Sequence, residues 1–162
     1  MNVNEAMTTP VKSAYSNTSL DAIARMMWDQ NCGAIPVVEG DNQPLGIITD
    51  RDIAMAAMLN HEPLWNIPAS TVIQGQRLTC CSPQESIEMC VEKMEQHSVR
   101  RILVTDDSGA LCGIVSLGDA VAFTKSADRK GQEKGAVKPE QMIDMLRKVS
   151  AHHGPGEAAY AA

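Results

Sequence analysis

Two short stretches combine a hydroxyl with a carboxylate at one spacing: Thr49 and Asp52 in GIITDRD (residues 46–52), and Ser116 and Asp119 in GIVSLGD (residues 113–119). In each, an apolar run typical of a strand gives way to a sequence typical of a helix. The hydroxyl and the first free N–H groups of that helix would favour an anion. An ionised aspartate can accept two hydrogen bonds, which suits a pair of neighbouring hydroxyls. The glycine that opens each stretch, Gly46 or Gly113, would permit a close backbone approach.

A second interpretation of these stretches needs no ligand. Thr-x-x-Asp or Ser-x-x-Asp at the start of a helix is also a capping box, in which each side chain accepts a backbone N–H from the other residue. The two roles can coexist, so the residues alone leave the choice open.

The two stretches belong to a longer internal repeat. A shift of 67 positions without a gap gives seven identities in 34 columns, whereas composition alone would give about two. The identical pairs are Ser19 and Ser86, Met27 and Met94, Ile35 and Ile102, Val37 and Val104, Gly46 and Gly113, Ile47 and Ile114, and Asp52 and Asp119. Two units are too few for a solenoid, so we expect the halves to pack about a pseudo-two-fold axis with one cleft between them.

Composition narrows the function classes. The net charge of −6 and the pI of about 5.1 argue against nucleic acid as a partner, which requires a basic field. No apolar run reaches the length of roughly 20 residues that a membrane span needs, and MNVNEAMTTP lacks the pattern of a signal peptide. Five cysteines, an odd number set mostly among apolar neighbours, favour reduced thiols. We therefore expect a soluble, cytoplasmic protein.

Each repeat is predicted to run strand, helix, strand, strand, helix, which gives an α/β (α+β) fold of two β-α-β-β-α units. The first strands are placed at 11–14 and 78–81 and the first helices at 18–28 and 82–94. The hairpins join AIPVV to LGIIT and RILVT to LCGIVS, and the closing helices are placed at 50–59 and 117–127. Ser82, Pro83 and Glu85 are interpreted as the N-cap, first-turn proline and capping-box acid of the second repeat's first helix.

The predicted boundaries follow from this order. They are 1–60 for the first repeat, 61–71 for a connector, 72–127 for the second repeat, 128–138 for a polar linker, 139–149 for a short amphipathic helix, and 150–162 for a disordered tail. The helices at 19–29, 50–59, 86–96 and 117–126 are expected to form a homodimer interface, because each module would otherwise expose apolar helix surface.

Over roughly residues 5–125 the chain resembles tandem CBS domains, which form a Bateman module, here standing alone. The resemblance rests on the duplicated order of elements and on Gly-apolar-apolar-Thr/Ser-x-x-Asp before a helix, not on one motif. It implies a regulatory module that binds AMP, ADP, ATP or S-adenosylmethionine in the cleft, usually as a dimer and normally without catalysis. No effector domain is fused within these residues, so any signal would pass to a separate, unidentified partner.

The two repeats differ in basic residues. Gly33 and Ala34 align with Arg100 and Arg101, and Arg51 aligns with Gly118. Carried over from the family, all three arginines point to the site built on Ser116 and Asp119, so that site alone is equipped for a phosphorylated ligand. An exposed surface pair is the alternative for Arg100 and Arg101.

Each residue of the second site has an expected role. Asp119 would hold the ribose hydroxyls, Ser116 and the helix N-terminus the α-phosphate, and the arginines the remaining charge, while Ile114 and the first strand near Val11 flank the base. Thr49 and Asp52 would form a related but weaker ribose position.

Other candidates rank lower. Cys80 and Cys81 lack Cys-x-x-Cys spacing and fit buried, inert thiols better than redox chemistry. His152 and His153 lie in a Gly/Pro-rich tail without further ligands, so no metal site is predicted. A nucleotide sensor leads, a ligand-free dimerisation or interaction module is the alternative, and an enzyme is disfavoured because no catalytic group can be named.

Overall fold

The computed structural model describes residues 1–122, 126–127, 133–134 and 137–150. In chain order its elements are α1 (Val3–Ala6), β1 (Ala14–Tyr15), α2 (Leu20–Gln30), β2 (Ala34–Glu39), β3 (Gln43–Thr49), α3 (Asp50–Asn60), a 3-10 turn (Leu64–Asn66), α4 (Ala69–Ile73), β4 (Cys80–Cys81), α5 (Ile87–His97), β5 (Arg101–Thr105), β6 (Leu111–Ser116), α6 (Leu117–Ala122), β7 (Ser126–Ala127), β8 (Glu133–Lys134) and α7 (Pro139–Ser150).

The predicted α+β class and the β-α-β-β-α order of both repeats are confirmed. The first repeat forms the sheet β1-β2-β3 and the second the sheet β4-β5-β6. In each, the short first strand pairs in parallel with the second, Ala14 with Val37 and Cys80 with Leu103. The pseudo-two-fold packing of the repeats and the single cleft stay predictions.

The first-repeat unit comprises residues 12–78 and 109–111. The inner faces of α2 and α3 close a core over the sheet with Leu20, Ile23, Ile35 and Ile48, none of them more than 1% exposed. Amphipathic spacing produces this core, since α2 buries positions 20, 23 and 27 along one face.

The second-repeat unit comprises residues 1–11, 79–108 and the described residues from 112 onward. Its core holds Ile87, Cys90, Val91, Met94 and Ile102. Helix α7 packs on α5 and adds Met142, Met145 and Val149 to the same core. The amphipathic helix expected over 139–149 is therefore present and docked.

Each unit is completed by the segment that precedes the other repeat in sequence. In the second-repeat unit Val3 N–H donates to the Glu85 backbone carbonyl at 2.8 Å, and Ile87 N–H donates to the Met1 carbonyl at 3.2 Å. In the first-repeat unit Ala69 N–H donates to the Thr18 backbone carbonyl at 2.8 Å, and Leu20 N–H donates to the Ile67 carbonyl at 2.9 Å. Residues 1–7 and 67–73 thus take equivalent places, although no residue identity links them.

Several predicted elements shift. The strand expected at 11–14 is β1 at Ala14–Tyr15, so Val11 lies outside it. Helix α5 is capped by Ser86, whose Oγ accepts from Met89 N–H at 3.3 Å, and not by Ser82. Ser82 N–H instead donates to Glu85 Oε1 at 3.0 Å in the preceding turn, because the N-terminal segment pairs there.

The end of the second repeat and the connectors also differ from the prediction. Helix α6 is described over Leu117–Ala122. Residues 126–127, expected to be helical, form β7, which is antiparallel to β8 inside the expected linker. The connector at 61–71 contains the 3-10 turn and the start of α4. Ser150 ends α7, and the rest of the expected tail, with His152 and His153, lies outside the described residues.

Candidate functional site

In the second repeat, Ser116 and Asp119 bind each other where β6 ends and α6 begins. The Asp119 Oδ2 accepts from Ser116 N–H at 2.8 Å and from Ser116 Oγ–H at 2.6 Å. Asp119 N–H returns a bond to Ser116 Oγ at 3.3 Å. Within the described part of the chain no donor reaches Asp119 Oδ1, which leaves one half-buried carboxylate oxygen open for a ligand hydroxyl.

The first repeat has the same geometry. Asp52 Oδ2 accepts from Thr49 N–H at 2.7 Å and from Thr49 Oγ1–H at 2.6 Å, and Asp52 N–H donates to Thr49 Oγ1 at 3.2 Å. Thr49 is the N-cap of α3 and the pair is a capping box. The capping interpretation therefore holds for both motifs, and any difference in ligand binding must come from the surroundings.

Beside the second motif, β6 pairs with the N-terminal segment. Thr8 N–H donates to the Ile114 carbonyl at 2.9 Å, and Ile114 N–H donates to the Thr8 carbonyl at 3.2 Å. Ile114 is half-buried, as is Val11 three residues beyond Thr8. Sequence reasoning missed Thr8, because the segment before a repeat gave no sign of joining the other unit.

In the first repeat a side chain takes the place of that backbone pairing. The Gln76 amide donates from Nε2 to the Ile47 carbonyl and accepts at Oε1 from Ile47 N–H, both at 3.0 Å. Ile47 aligns with Ile114. The main chain beside the first motif is therefore already satisfied by Gln76, a residue that sequence reasoning also missed.

The glycines of the two motifs make room for these segments. A Cβ on Gly46 would lie 2.5 Å from Ile73 Cγ2 and 2.9 Å from Gln76 Oε1, and one on Gly113 would collide with Met7. The close approach expected at both glycines is thus made by side chains of the same unit.

The three predicted arginines have different surroundings. Arg100 Nη2 donates to the Val149 carbonyl of α7 at 3.1 Å, so its side chain serves α7. Leu117 N–H donates to the Arg100 carbonyl at 2.8 Å. In the first repeat the equivalent bond runs from Asp50 N–H to the Gly33 carbonyl, and next to it Ala34 of β2 pairs with Thr49 of β3.

Arg101 aligns with Ala34, and Ser116 aligns with Thr49. Because Ala34 pairs with Thr49, Arg101 of β5 lies opposite Ser116 of β6. Alternation along β5 directs Arg101 away from Ile102 and Val104, which face the α5 and α7 core. Arg101 is half-buried and has no hydrogen bond or ion pair with any residue that the structure describes. Arg51 is exposed in the first turn of α3, in the other unit, and its assignment to this site stays a prediction.

Of the thiols near α5, Cys81 and Cys90 lie in the core and Cys80 is half-buried. Burial raises the pKa of the Cys80 thiol, and a hydrogen bond with Cys81, together with burial, raises that of Cys90 strongly. Cys81, hydrogen-bonded to Cys90, has a lowered pKa but is 1% exposed. The burial of Cys81 supports its interpretation as a packing residue, whereas Cys80, expected to be buried, is half-buried.

Two α+β repeats, each ending its hairpin in a hydroxyl–aspartate turn, define a tandem-repeat module. The family model of the CBS domain matches residues 3–59 and 73–125, and the chain belongs to the CBS-domain family. A CBS domain-containing protein of Bacillus subtilis, YhcV, is 35% identical over 129 residues, which cover 80% of this chain and 89% of that protein.

Two solved structures share the fold. The CBS domain protein PAE2072 from Pyrobaculum aerophilum, complexed with AMP, has a TM-score of 0.66 at 20% identity, covering 74% of this chain and 89% of that one. The CBS domain pair of protein MJ0100, in complex with 5-methylthioadenosine and S-adenosyl-L-methionine, has a TM-score of 0.65 at 24% identity, covering 75% and 98%. Among the described residues, no helix has the length and apolar character to cross a membrane.

Proposed function

We propose that the chain is a regulatory nucleotide-sensing module that binds an adenosine-containing ligand at the Ser116–Asp119 turn and signals its occupancy to a separate partner. Arg101 carries the proposal. Arg101 is half-buried, its guanidinium lacks a partner among the described residues, and its position on β5 lies opposite Ser116. Burying an unpaired charge is unfavourable, and the fork of an arginine matches phosphate oxygens. A ligand phosphate would supply the missing partner.

The other residues then take complementary roles. Asp119 Oδ1 accepts a ribose hydroxyl, while Ser116 contacts the phosphate nearest the ribose. Ile114 flanks the base from β6, and Thr8 and Val11 line the adjoining N-terminal segment. The N-terminus of helix α6 adds to the positive field that Arg101 supplies.

The ligand class has support from the relatives by fold. The PAE2072 structure holds AMP, and the MJ0100 structure holds S-adenosyl-L-methionine and 5-methylthioadenosine. An adenosine moiety is common to these ligands. We therefore favour AMP, ADP, ATP or S-adenosylmethionine for this chain, bound without catalysis, in a cytoplasmic homodimer.

A thermal-shift screen tests the proposal. AMP, ADP, ATP, S-adenosylmethionine, GMP and NADH are each added to the full chain, and a ligand specific for the folded state raises the melting midpoint by mass action. We expect at least one adenosine compound to raise it and GMP to fail. No shift from any adenosine compound at millimolar concentration, confirmed by calorimetry, rejects the proposal.

A ligand-free interaction module is the second candidate. Both hydroxyl–carboxylate pairs are already satisfied as caps, so neither needs a ligand to be stable. The same titration separates the candidates, because a pure interaction module responds to its own concentration and not to nucleotide.

A further inference from the structure

Helix α7 packs on the repeat that carries the Ser116–Asp119 turn, and the first repeat has no counterpart of α7 among the described residues. Met142, Met145 and Val149 of α7 are at most 9% exposed and belong to the core of the second-repeat unit. In the first repeat the corresponding surface is an open groove of about 500 Å³, and Trp28 beside it is 83% exposed. A repeat therefore forms its core without an added helix, so α7 is an addition to one repeat and not a requirement of the fold.

The residues that hold α7 are residues at which the two repeats differ. Arg100 Nη2 donates to the Val149 carbonyl at 3.1 Å, and Leu117 packs against the core that α7 completes. In the first repeat these two positions are occupied by Gly33 and Asp50, which line the groove. Neither residue could hold a helix in this way, since glycine has no side chain to donate and a carboxylate is unfavourable in an apolar contact.

The same two residues are directly connected to the proposed ligand turn. Leu117 follows Ser116 in the chain, and its N–H donates to the Arg100 carbonyl at 2.8 Å. Ser116 Oγ–H donates to Asp119 Oδ2 at 2.6 Å. A continuous series of bonded neighbours thus joins the proposed ribose contact to the last turn of α7. Coupling between two sites also needs an element with two arrangements that both sites can bias.

Helix α7 can supply these two arrangements. A helix of twelve residues is marginal in water without packing, so α7 should unfold when it leaves α5. Beside the bond from Arg100, Lys148 pairs with Glu95 at 3.5 Å, and Gln141 Nε2 donates to the Glu88 carbonyl at 3.3 Å. Partly exposed contacts of this kind contribute little to stability. Docking and folding of α7 therefore form one equilibrium, which a modest change near Arg100 and Leu117 can shift.

We infer that α7 is the output element of the module, and that a ligand at the Ser116–Asp119 turn favours its docked, helical form. This inference rests on the proposed function and deepens it, because it names the segment through which occupancy is signalled. Without ligand, a larger fraction of the molecules would release α7 and expose the apolar residues Met142, Met145 and Val149.

The direction of the effect follows from the contacts that the two events share. A ligand held by Ser116 and Asp119 would fix the turn in the conformation in which Leu117 bonds to Arg100 and packs in the core. The same conformation holds α7, so the ligand and the helix stabilise one state. By linkage, docked α7 must strengthen ligand binding by the same factor by which the ligand favours docking.

Hydrogen exchange of the full chain tests the coupling, with AMP, ATP and S-adenosylmethionine added separately at concentrations that calorimetry shows to be saturating. We expect a bound compound to slow exchange over residues 139–150 by at least about fivefold. Helix α2 of the first repeat is the internal control and should change less. If a compound binds but exchange of α7 is unchanged or faster, the inference is wrong and the proposed function stands. If no adenosine compound binds, both are wrong.

The reciprocal effect is tested with variants of α7. Met145→Glu should release α7 and weaken binding of the same compound by a factor similar to the slowing of exchange. Ile143→Glu is the matched control, because Ile143 is 47% exposed on α7, and it should change neither quantity. Lys148→Glu, which turns attraction to Glu95 into repulsion, is the milder variant if Met145→Glu fails to fold. Released α7 with unchanged affinity, or an α7 that stays protected in both variants, overturns the inference.

Discussion

Arg100 binds the last turn of α7 through its side chain, donating from Nη2 to the Val149 carbonyl at 3.1 Å, while its own carbonyl accepts from Leu117 N–H at 2.8 Å. Leu117 follows Ser116 directly, so one residue joins the candidate ligand turn to the C-terminal helix. A lysine or arginine at a helix C-terminus also complements the negative end of the helix dipole.

Replacing Arg100 with alanine should loosen α7 without removing the ligand site. A hydrogen bond from a charged group contributes on the order of 1.5 to 3 kcal/mol when well buried, and less at an accessible site such as this. Hydrogen exchange at residues 146–150 should rise severalfold, while AMP affinity changes less than it does for Arg101→Ala. Unchanged exchange would show that the apolar contacts of Met142 and Met145 hold α7 alone.

Replacing Arg101 with alanine should weaken the binding of ATP more than the binding of adenosine. The substitution would remove the partner proposed for the phosphate and leave the proposed ribose contact with Asp119 intact. Calorimetry with both compounds measures the difference. Ala34→Arg in the first repeat is a matched variant, since Ala34 takes the aligned position. Equal losses for ATP and adenosine in Arg101→Ala would place Arg101 outside the phosphate site.

Replacing each of the two aspartates should distinguish an effect on stability from an effect on ligand binding. Asp52 and Asp119 make the same three bonds with Thr49 and Ser116, so alanine at either position should lower the stability of its unit by a similar amount, about 1 kcal/mol. Only Asp119→Ala should weaken nucleotide binding, by roughly ten- to a hundredfold. Equal losses of affinity, measured by calorimetry, would exclude an asymmetric site.

Much of the fold follows from the sequence because the repeat carries its own periodicity. Helices α2 and α5 start at aligned serines, and the hairpins end at aligned hydroxyl–aspartate turns. The exchange of residues 1–7 and 67–73 between units could not be predicted, since their pairing uses backbone groups that any residue offers. Thr8 could not be predicted for the same reason, whereas Gln76 pairs with Ile47 through its side-chain amide across 29 residues of sequence.

The arginines show what the sequence pattern could not reveal about the surroundings of the site. Arg100 and Arg101 are adjacent in sequence, and the family pattern assigned both to phosphate. Successive residues of an extended chain point to opposite faces, and the contact of Arg100 with α7 lies 49 residues away in sequence. A local pattern cannot reveal such a distant partner.

Gly46→Ala should destabilise the protein more than Gly113→Ala. A Cβ on Gly46 meets Ile73 at 2.5 Å and 2.6 Å, and Ile73 is β-branched and therefore stiff. The neighbour of Gly113 is the flexible end of Met7, which can move aside. Overpacking of this kind costs about 1 to 3 kcal/mol, so thermal denaturation should show a larger loss for Gly46→Ala. A reversed order would mean that α1 is the more rigid of the two segments.

Acid should lower the stability of the second-repeat unit, because it protonates Glu85. Burial by itself would raise the pKa of Glu85, but the hydrogen bond from Lys93 at 2.7 Å and the Ser82 N–H outweigh it, and the pKa is lowered overall. A carboxyl whose pKa is lower in the folded state adds stability above its unfolded value of about 4.3. That stability is lost as the pH falls through the lowered folded value.

Glu85→Gln should therefore be less stable than the wild type at neutral pH and should lose less stability on acidification below about pH 4.3. Urea denaturation between pH 7 and pH 3 gives both quantities, and Glu92→Gln, which removes an exposed carboxylate from α5, is the matched control. The first repeat has Thr18 and Met26 in the places of Glu85 and Lys93. Glu85→Thr with Lys93→Met should then restore most of the neutral stability, because replacing both members of a partly buried ion pair avoids leaving one charge alone. If Glu85→Gln and the wild type lose stability in parallel as the pH falls, the Lys93 bond does not contribute to the acid sensitivity of the fold.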